Sequence, residues 1–214
     1  MNNIKGIIFD LDGVLVFTDH YHYLAWKKIA DSINCYFDEI INNKLRGVSR
    51  MASLDIILEN YKGIPFTKEE KESLAFKKNE IYKDLLNKMT PDDVSRDVRD
   101  TLAELRKRGY KLSVGSSSKN AKFILKQVDL IDSFDAISDG TNITNSKPDP
   151  EVFLKGALFL GLNPKECAVV EDAYAGIDAA KAGNMLAISI GDATSYDKSD
   201  IKLTKFSDLL LYFK

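Results

Sequence analysis

Asp10 and Asp12 stand two residues apart in Phe9-Asp10-Leu11-Asp12-Gly13, directly behind an apolar run. Glu171-Asp172 follows a second apolar run that ends at Val170, Ser116 follows a third, and Lys147 precedes Pro148 in the stretch after a fourth. Carboxylates gathered without a local His or Cys suit a hard, oxygen-seeking ion such as Mg²⁺. Such an ion lets a carboxylate approach a phosphate and attack phosphorus, giving an acyl phosphate. A second carboxylate two residues along, Asp12, can pass protons to and from the leaving oxygen. Ser116 and nearby backbone N–H groups can bind the transferring phosphoryl group, and Lys147 supplies the fixed positive charge that a loose transition state needs. Taken singly, each feature is ordinary. Asp12-Gly13 is a turn pair, Ser116-Ser117-Ser118 a helix N-cap segment, Lys147 a loop lysine, and Glu171-Asp172 a favourable charge at a helix start. Their joint placement behind apolar runs is what points to chemistry.

Those runs are the elements that position the residues. Short apolar stretches at Lys5 to Leu11, Lys111 to Gly115, Phe134 to Ser138, Cys167 to Val170 and Met185 to Ile190 read as buried strands. Helical spacing lies between them: Val98, Leu102 and Leu105, then Ile124, Leu125 and Val128, then Phe153, Ala157 and Leu160 behind a capping Asp149 and Pro150. Alternation of this kind predicts an α/β fold with a parallel sheet, whose ligands bind beyond the carboxyl ends of the strands. Residues 16–92 break the alternation. Stripes at Tyr21, Ala25, Ile29, Ile33 and at Leu74, Ile81, Leu85 predict an all-helical insertion. The expected organisation is a Rossmann-like core of residues 1–15 and 93–214 carrying a helical cap of residues 16–92. Lys78 falls on the second apolar stripe, where a lysine either snorkels or is aimed into a cleft. His22 and Trp26 are i, i+4 neighbours on the first cap helix.

With 214 residues the chain is long enough for a core that needs no disulfide or metal staple. Lys+Arg 30 against Asp+Glu 32 gives a net charge of −2, which offers no electrostatic case for nucleic acid or an anionic membrane. Two cysteines outside any Cys-x-x-Cys pair fit a reducing compartment. The opening segment does not read as a signal peptide, and no run approaches ~18 apolar residues, so a cytoplasmic protein is expected. No G-x-G-x-x-G follows the first strand, which disfavours a dinucleotide-binding protein.

Phe9-Asp10-Leu11-Asp12-Gly13-Val14 resembles the first motif of the haloacid dehalogenase superfamily of phosphotransferases. Ser116 resembles its second motif, Lys147-Pro148 its third and Glu171-Asp172 its fourth, in order across essentially the whole chain. The resemblance implies Asp10 as nucleophile, Asp12 as acid/base, and Mg²⁺ held by the Asp10 carboxylate, the Asp12 backbone carbonyl and the acidic fourth motif of Glu171 and chiefly Asp172. A narrower resemblance, to the β-phosphoglucomutase family, lies in Tyr21-His22, Ala25-Trp26, Leu45-Arg46-Gly47-Val48-Ser49-Arg50, Lys78-Asn79 and Ser118-Lys119-Asn120. It implies interconversion of β-glucose 1-phosphate and glucose 6-phosphate through a bisphosphate. His22 and Lys78 would then assist the acid/base. Thr18, Trp26, Arg46, Gly47, Val48 and Ser49 would line the substrate site with Ser116 and Lys147. Arg50, opposite Ser118, Lys119 and Asn120, would hold the phosphate not being transferred. Phe17 stands where the family usually carries an acidic residue, and Arg46 where it carries lysine. A monomer acting on a small sugar phosphate is expected. The alternatives are a Mg²⁺-dependent phosphatase of small sugar or polyol phosphates on the same fold, and a non-catalytic sugar-phosphate sensor.

Overall fold

Gly6–Phe9 forms β1, apolar and buried at every position. A helical stretch follows: α1 (Asp19–Ser32), α2 (Glu39–Asn43), α3 (Arg50–Leu58) and α4 (Lys68–Leu86). Then come α5 (Arg96–Lys107), β2 (Lys111–Gly115), α6 (Ala121–Gln127), β3 (Ala136–Ser138) and α7 (Glu151–Leu160). The chain continues through β4 (Cys167–Glu171), α8 (Tyr174–Ala182), β5 (Leu186–Ser189), β6 (Ile201–Lys202) and α9 (Leu209–Tyr212). This computed structural model describes residues 3–45 and 48–214. It divides into two compact units, Met1–Phe17 with Met89–Lys214, and Thr18–Lys88.

In the first unit all strands pair in parallel in the order β3-β2-β1-β4-β5-β6. The chain steps outward from β1 through β2 to β3, then returns to β4 on the other side of β1. That reversal is the topological switch point where open α/β sheets bind ligands. Phe9 lies opposite both Val114 and Val170, and the Asp10 N–H donates to the Val170 carbonyl at 2.9 Å. The first residues past β1, β2 and β4 therefore reach one edge of the sheet together. Beneath them Ile8, Val169, Phe153, Ala157, Ile177 and Ala180 form the core between sheet and helices.

The expected parallel α/β class is the one observed, with differences in detail. Phe134 lies outside β3, which is only three residues long. β6 is a two-residue strand whose sequence carries no apolar run to announce it. Pro150 is the N-cap of α7 rather than a first-turn residue, while the Asp149 carboxylate accepts the Glu151 N–H at 2.9 Å. Ser95 caps α5 by accepting the Val98 N–H at 3.2 Å.

The second unit has its own core, in which Trp26, Ile29, Leu54, Ile57 and Leu74 pack together. The buried face of α1 is Ala25, Trp26, Ile29 and Ala30, rotated from the expected stripe so that Tyr21 is only half-buried. On α4 the buried face runs through Leu74, Ala75, Lys78, Tyr82 and Leu85, with Ile81 at its margin. A Thr67–Glu70 capping box starts that helix: Thr67 Oγ1 accepts the Glu70 N–H and Glu70 Oε2 accepts the Thr67 N–H. Cys35 and Cys167 are both unpaired and buried; burial raises both thiols, that of Cys167 to about 11.

Candidate active site

The centre of the first unit's site is Lys147. Its Nζ donates to Asp10 Oδ1 at 2.5 Å and to Glu171 Oε1 at 2.6 Å, and lies 4.7 Å from the Phe153 ring centroid. The three groups come from separate segments: the end of β1, the loop before α7 with its cis Lys147-Pro148 bond, and the last residue of β4. Burial alone would depress the Lys147 ammonium, but the charges of Asp10 and then Glu171 outweigh it and leave its pKa raised. Lys147 is thus a permanent cation at neutral pH.

One lysine does not balance the carboxylates around it. Asp10, Glu171 and Asp172 each present an oxygen, and these oxygens lie within 4.8 Å of one another. Burial first, then the Glu171 and Asp10 charges, push the Asp172 carboxyl up to about 8. The Glu171 carboxyl is also raised, by its burial ahead of the opposing pull of Lys147. A cluster of oxygen donors with surplus negative charge fits a hard divalent cation. The surroundings reserve space for the carboxylates. Gly13 has φ +85°, and a Cβ on it would collide with the Asp172 carboxylate; a Cβ on Gly176 would collide with that of Glu171. The Asp12 carboxyl is not among the three close oxygens. Asp12 sits in a tight turn in which the Gly13 N–H donates to the Val16 carbonyl at 2.7 Å, and its charge adds to the elevation of Asp172.

Past β2 the chain makes a ladder of serine turns. The Ser116 N–H donates to the Ser138 carbonyl at 3.1 Å. Ser116 Oγ accepts the Ser118 N–H at 3.1 Å, and Ser118 Oγ accepts the Asn120 N–H at 3.2 Å. Ser116 and Asn120 are buried, whereas Lys119 is exposed. Gly140 lies so close to the Ser117 carbonyl and the Lys119 N–H that a Cβ would not fit, so the loop after β3 braces this segment.

In the second unit Lys78 is 3% exposed, and its Nζ lies 2.8 Å from His22 Nδ1. The ammonium also faces the Tyr82 and Trp26 rings, 4.5 and 5.1 Å from their centroids. Burial, then the Lys78 and Arg50 charges, hold His22 well below the usual imidazole range. Neutral His22 can accept from Lys78 through Nδ1. The Tyr82 hydroxyl donates to Thr18 Oγ1 at 3.1 Å, and its ring lies 4.1 Å from the His22 ring. Arg50, the first residue of α3, donates to Asn79 Oδ1 at 2.7 Å. Ser49 caps the same helix through the Ala52 N–H, and Val48 is 36% exposed. Trp26, expected among the substrate-lining residues, is 2% exposed and belongs to the apolar core of its unit. Arg46 and Gly47 lie outside the described residues.

The sequence pattern of the haloacid dehalogenase-like hydrolases matches residues 4–184. The chain belongs to this family. It is 40% identical over 209 residues to the β-phosphoglucomutase of Bacillus subtilis, covering 97% of this chain and 92% of that one. The β-phosphoglucomutase structure from Clostridium difficile superposes with a TM-score of 0.88 at 38% identity, covering 96% of this chain and 93% of that one. A phosphorylated carbohydrates phosphatase of Thermotoga maritima is 27% identical over 184 residues, 85% of this chain and 82% of that one. Within the haloacid dehalogenase-like hydrolases the chain groups with the β-phosphoglucomutases and is an enzyme of phosphoryl transfer.

Tyr82 is the residue that sequence reasoning passed over. It touches His22, Lys78 and Thr18 at once. Its position four residues after Lys78 was the available signal, since i, i+4 side chains on a helix are neighbours. Asn79 as the partner of Arg50 carried no such signal, because the contact spans 29 residues.

Proposed function

We propose that this enzyme interconverts β-D-glucose 1-phosphate and glucose 6-phosphate through an aspartyl phosphate and glucose 1,6-bisphosphate. The observation that carries the phosphoryl chemistry is the bonding of Lys147 to both Asp10 and Glu171 beside Asp172. In this reading an Asp10 oxygen attacks phosphorus, the bond from phosphorus to the sugar oxygen breaks, and Asp12 delivers a proton to that oxygen. In the reverse sense Asp12 takes the proton of a sugar hydroxyl as that hydroxyl attacks the aspartyl phosphate. Lys147 holds positive charge against the transferring group, and Ser116 hydrogen-bonds it. Mg²⁺ would be held by Asp10, Asp172, Glu171 and the Asp12 main-chain carbonyl. A bound Mg²⁺ neutralises charge, so that the carboxylate nucleophile and the phosphate can approach each other.

A mutase must also hold the phosphate that is not reacting. We assign this to Arg50 from the helical insertion, residues 16–92 in the sequence reading, with Ser118, Lys119 and Asn120 from the core. A guanidinium grips phosphate with two parallel hydrogen bonds. The 40% identity to a β-phosphoglucomutase over nearly the whole chain supports this reading. His22, kept neutral and bonded to Lys78, suits the task of positioning the acid/base. A monomeric, cytoplasmic enzyme belongs to the same reading; the two unpaired, buried cysteines support the reducing compartment.

The second reading is a phosphatase, favoured by the similarity to the Thermotoga maritima phosphorylated carbohydrates phosphatase. The two differ in whether a sugar hydroxyl or water receives the phosphoryl group. NMR of β-glucose 1-phosphate turnover, with Mg²⁺ and catalytic bisphosphate present, separates them. Glucose 6-phosphate is the expected product. Free glucose with inorganic phosphate would overturn the mutase assignment.

A further inference from the structure

The connection that carries Asp172 has no helix cap of its own. Ala173 is the N-cap of α8 and offers no side-chain acceptor, so the first turn of that helix is held by other means. One is Glu171 Oε2, which accepts the Ala173 N–H at 2.9 Å. The two residues that precede this cap are held separately, from the segment between β5 and β6. There the Ile190 N–H donates to the Glu171 carbonyl at 2.9 Å, and the Ala193 N–H donates to the Asp172 carbonyl at 3.0 Å. The same segment grips α8 through side chains. Tyr174, the first residue of α8, stacks on Tyr196 with centroids 4.4 Å apart and planes 12° apart. The Tyr174 hydroxyl is 2.5 Å from Ser195 Oγ, and Ser195 Oγ donates to the Asp192 carbonyl at 2.9 Å. Tyr196 is fixed in turn: its hydroxyl donates to both Asp178 oxygens at 2.9 and 3.1 Å, and Lys198 bonds Asp178 Oδ1 at 2.7 Å.

We propose that the Tyr174–Tyr196 stack, with Ser195 and Asp178, is a positioning device that sets the affinity of the Asp10–Glu171–Asp172 site for its divalent cation. The inference rests on the metal assignment made under the proposed function. The carboxylate of Asp172 can be fixed in space only as well as the two peptide units around it. Those units are clamped from the β5–β6 segment by two backbone hydrogen bonds, and the segment is itself pinned to α8 by the aromatic pair. Tyr174 is 49% exposed and Lys198 is exposed, so a role confined to burying apolar surface does not explain a five-residue arrangement at the start of the helix that follows Asp172. Groups that orient ligands from outside the coordination sphere govern metal affinity by roughly 10–100-fold.

The test is calorimetric titration of the purified, metal-free full chain with MgCl₂ and no substrate. Tyr196→Ala should raise the Mg²⁺ dissociation constant about 10-fold. Tyr196→Phe, which keeps the stack and loses the Asp178 bonds, should fall between that variant and the unsubstituted protein. Turnover of Tyr196→Ala should recover as MgCl₂ is raised, which a global loss of fold would not allow. Should Tyr196→Ala fail to fold by circular dichroism, Tyr174→Ala, at a half-exposed position, gives the same reading. Unchanged Mg²⁺ affinity in a folded Tyr196→Ala or Tyr174→Ala overturns the positioning role and leaves the metal assignment standing. Absence of Mg²⁺ binding in the unsubstituted chain overturns both.

Discussion

Mg²⁺ should displace a proton when it binds, and the amount follows from Asp172. In the metal-free protein this carboxyl titrates at about 8, because it is buried and faces Glu171 and Asp10. Glu171 beside it is raised as well, so the two carboxyls titrate together, and at pH 7 the pair holds most of a proton. A cation accepts only the ionised form, so Mg²⁺ binding at pH 7 should release roughly one proton, and the release should fall away as pH rises past about 8. The apparent dissociation constant should fall about tenfold per pH unit from pH 6 up to about 8 and then level off. The sign for stability runs the same way. A carboxyl whose folded pKa lies above its unfolded value binds more protons folded than unfolded. The metal-free fold should accordingly lose stability as pH rises from about 4 to about 8, and regain it on addition of Mg²⁺. Calorimetric titration in two buffers of different ionisation enthalpy counts the protons directly, and Asp172→Asn should abolish most of the release. Fewer than about 0.2 proton released at pH 7, or an affinity flat between pH 6 and 8, would refute the reasoning from the crowded carboxylates.

Asp10→Asn should abolish the phosphoryl adduct that mass spectrometry detects after treatment with a reactive phosphoryl donor. Asp12→Asn should retain the nucleophile and slow turnover by roughly 10²–10⁴-fold through lost proton transfer. Arg50→Ala should cripple isomerisation of β-glucose 1-phosphate, since losing a charge-assisted phosphate partner costs on the order of 2–5 kcal/mol. Hydrolysis of acetyl phosphate, which has no second phosphate, should change far less, and Arg50→Lys should recover little; equal slowing of both substrates argues against the clamp. Gly13→Ala places a Cβ against the Asp172 carboxylate at a positive φ, so Mg²⁺ affinity measured by calorimetry should drop at least tenfold. Normal affinity in that variant would mean that Asp172 can move aside.

The architecture was legible where burial forces a pattern. Gly6–Phe9, Lys111–Gly115 and Cys167–Glu171 are continuous or nearly continuous in apolar residues because both faces of the sheet are covered, and the polar residues that end them mark its ligand-binding edge. β6 was not legible, because two paired residues leave no periodicity to detect. Lys78 was conspicuous as a charge on an apolar stripe, yet what satisfies it lies 56 residues away at His22. Trp26, four residues after His22 on α1, was legible as part of an apolar face, and it is buried in the core of its unit with the Lys78 ammonium 5.1 Å from its ring. The bonds from Lys147 to Asp10 and Glu171 span 137 and 24 residues, a convergence that only the strand order explains.

The burial of both native thiols has a practical corollary for spectroscopy. Cys35 lies in the helical unit and Cys167 in the sheet, each 4% exposed or less and each with its pKa raised. Thiol reagents attack the thiolate, which is scarce and shielded at both positions near neutral pH. A cysteine introduced on an exposed position of either unit should therefore be the site that a maleimide fluorophore or nitroxide modifies, with no need to remove the native pair. One label at Lys126 and another at Lys77, both exposed and outside the residues assigned to the substrate, would give a two-colour pair, one dye on each unit. Energy transfer between them would report, molecule by molecule, the distance separating sheet and insertion as sugar phosphate is added.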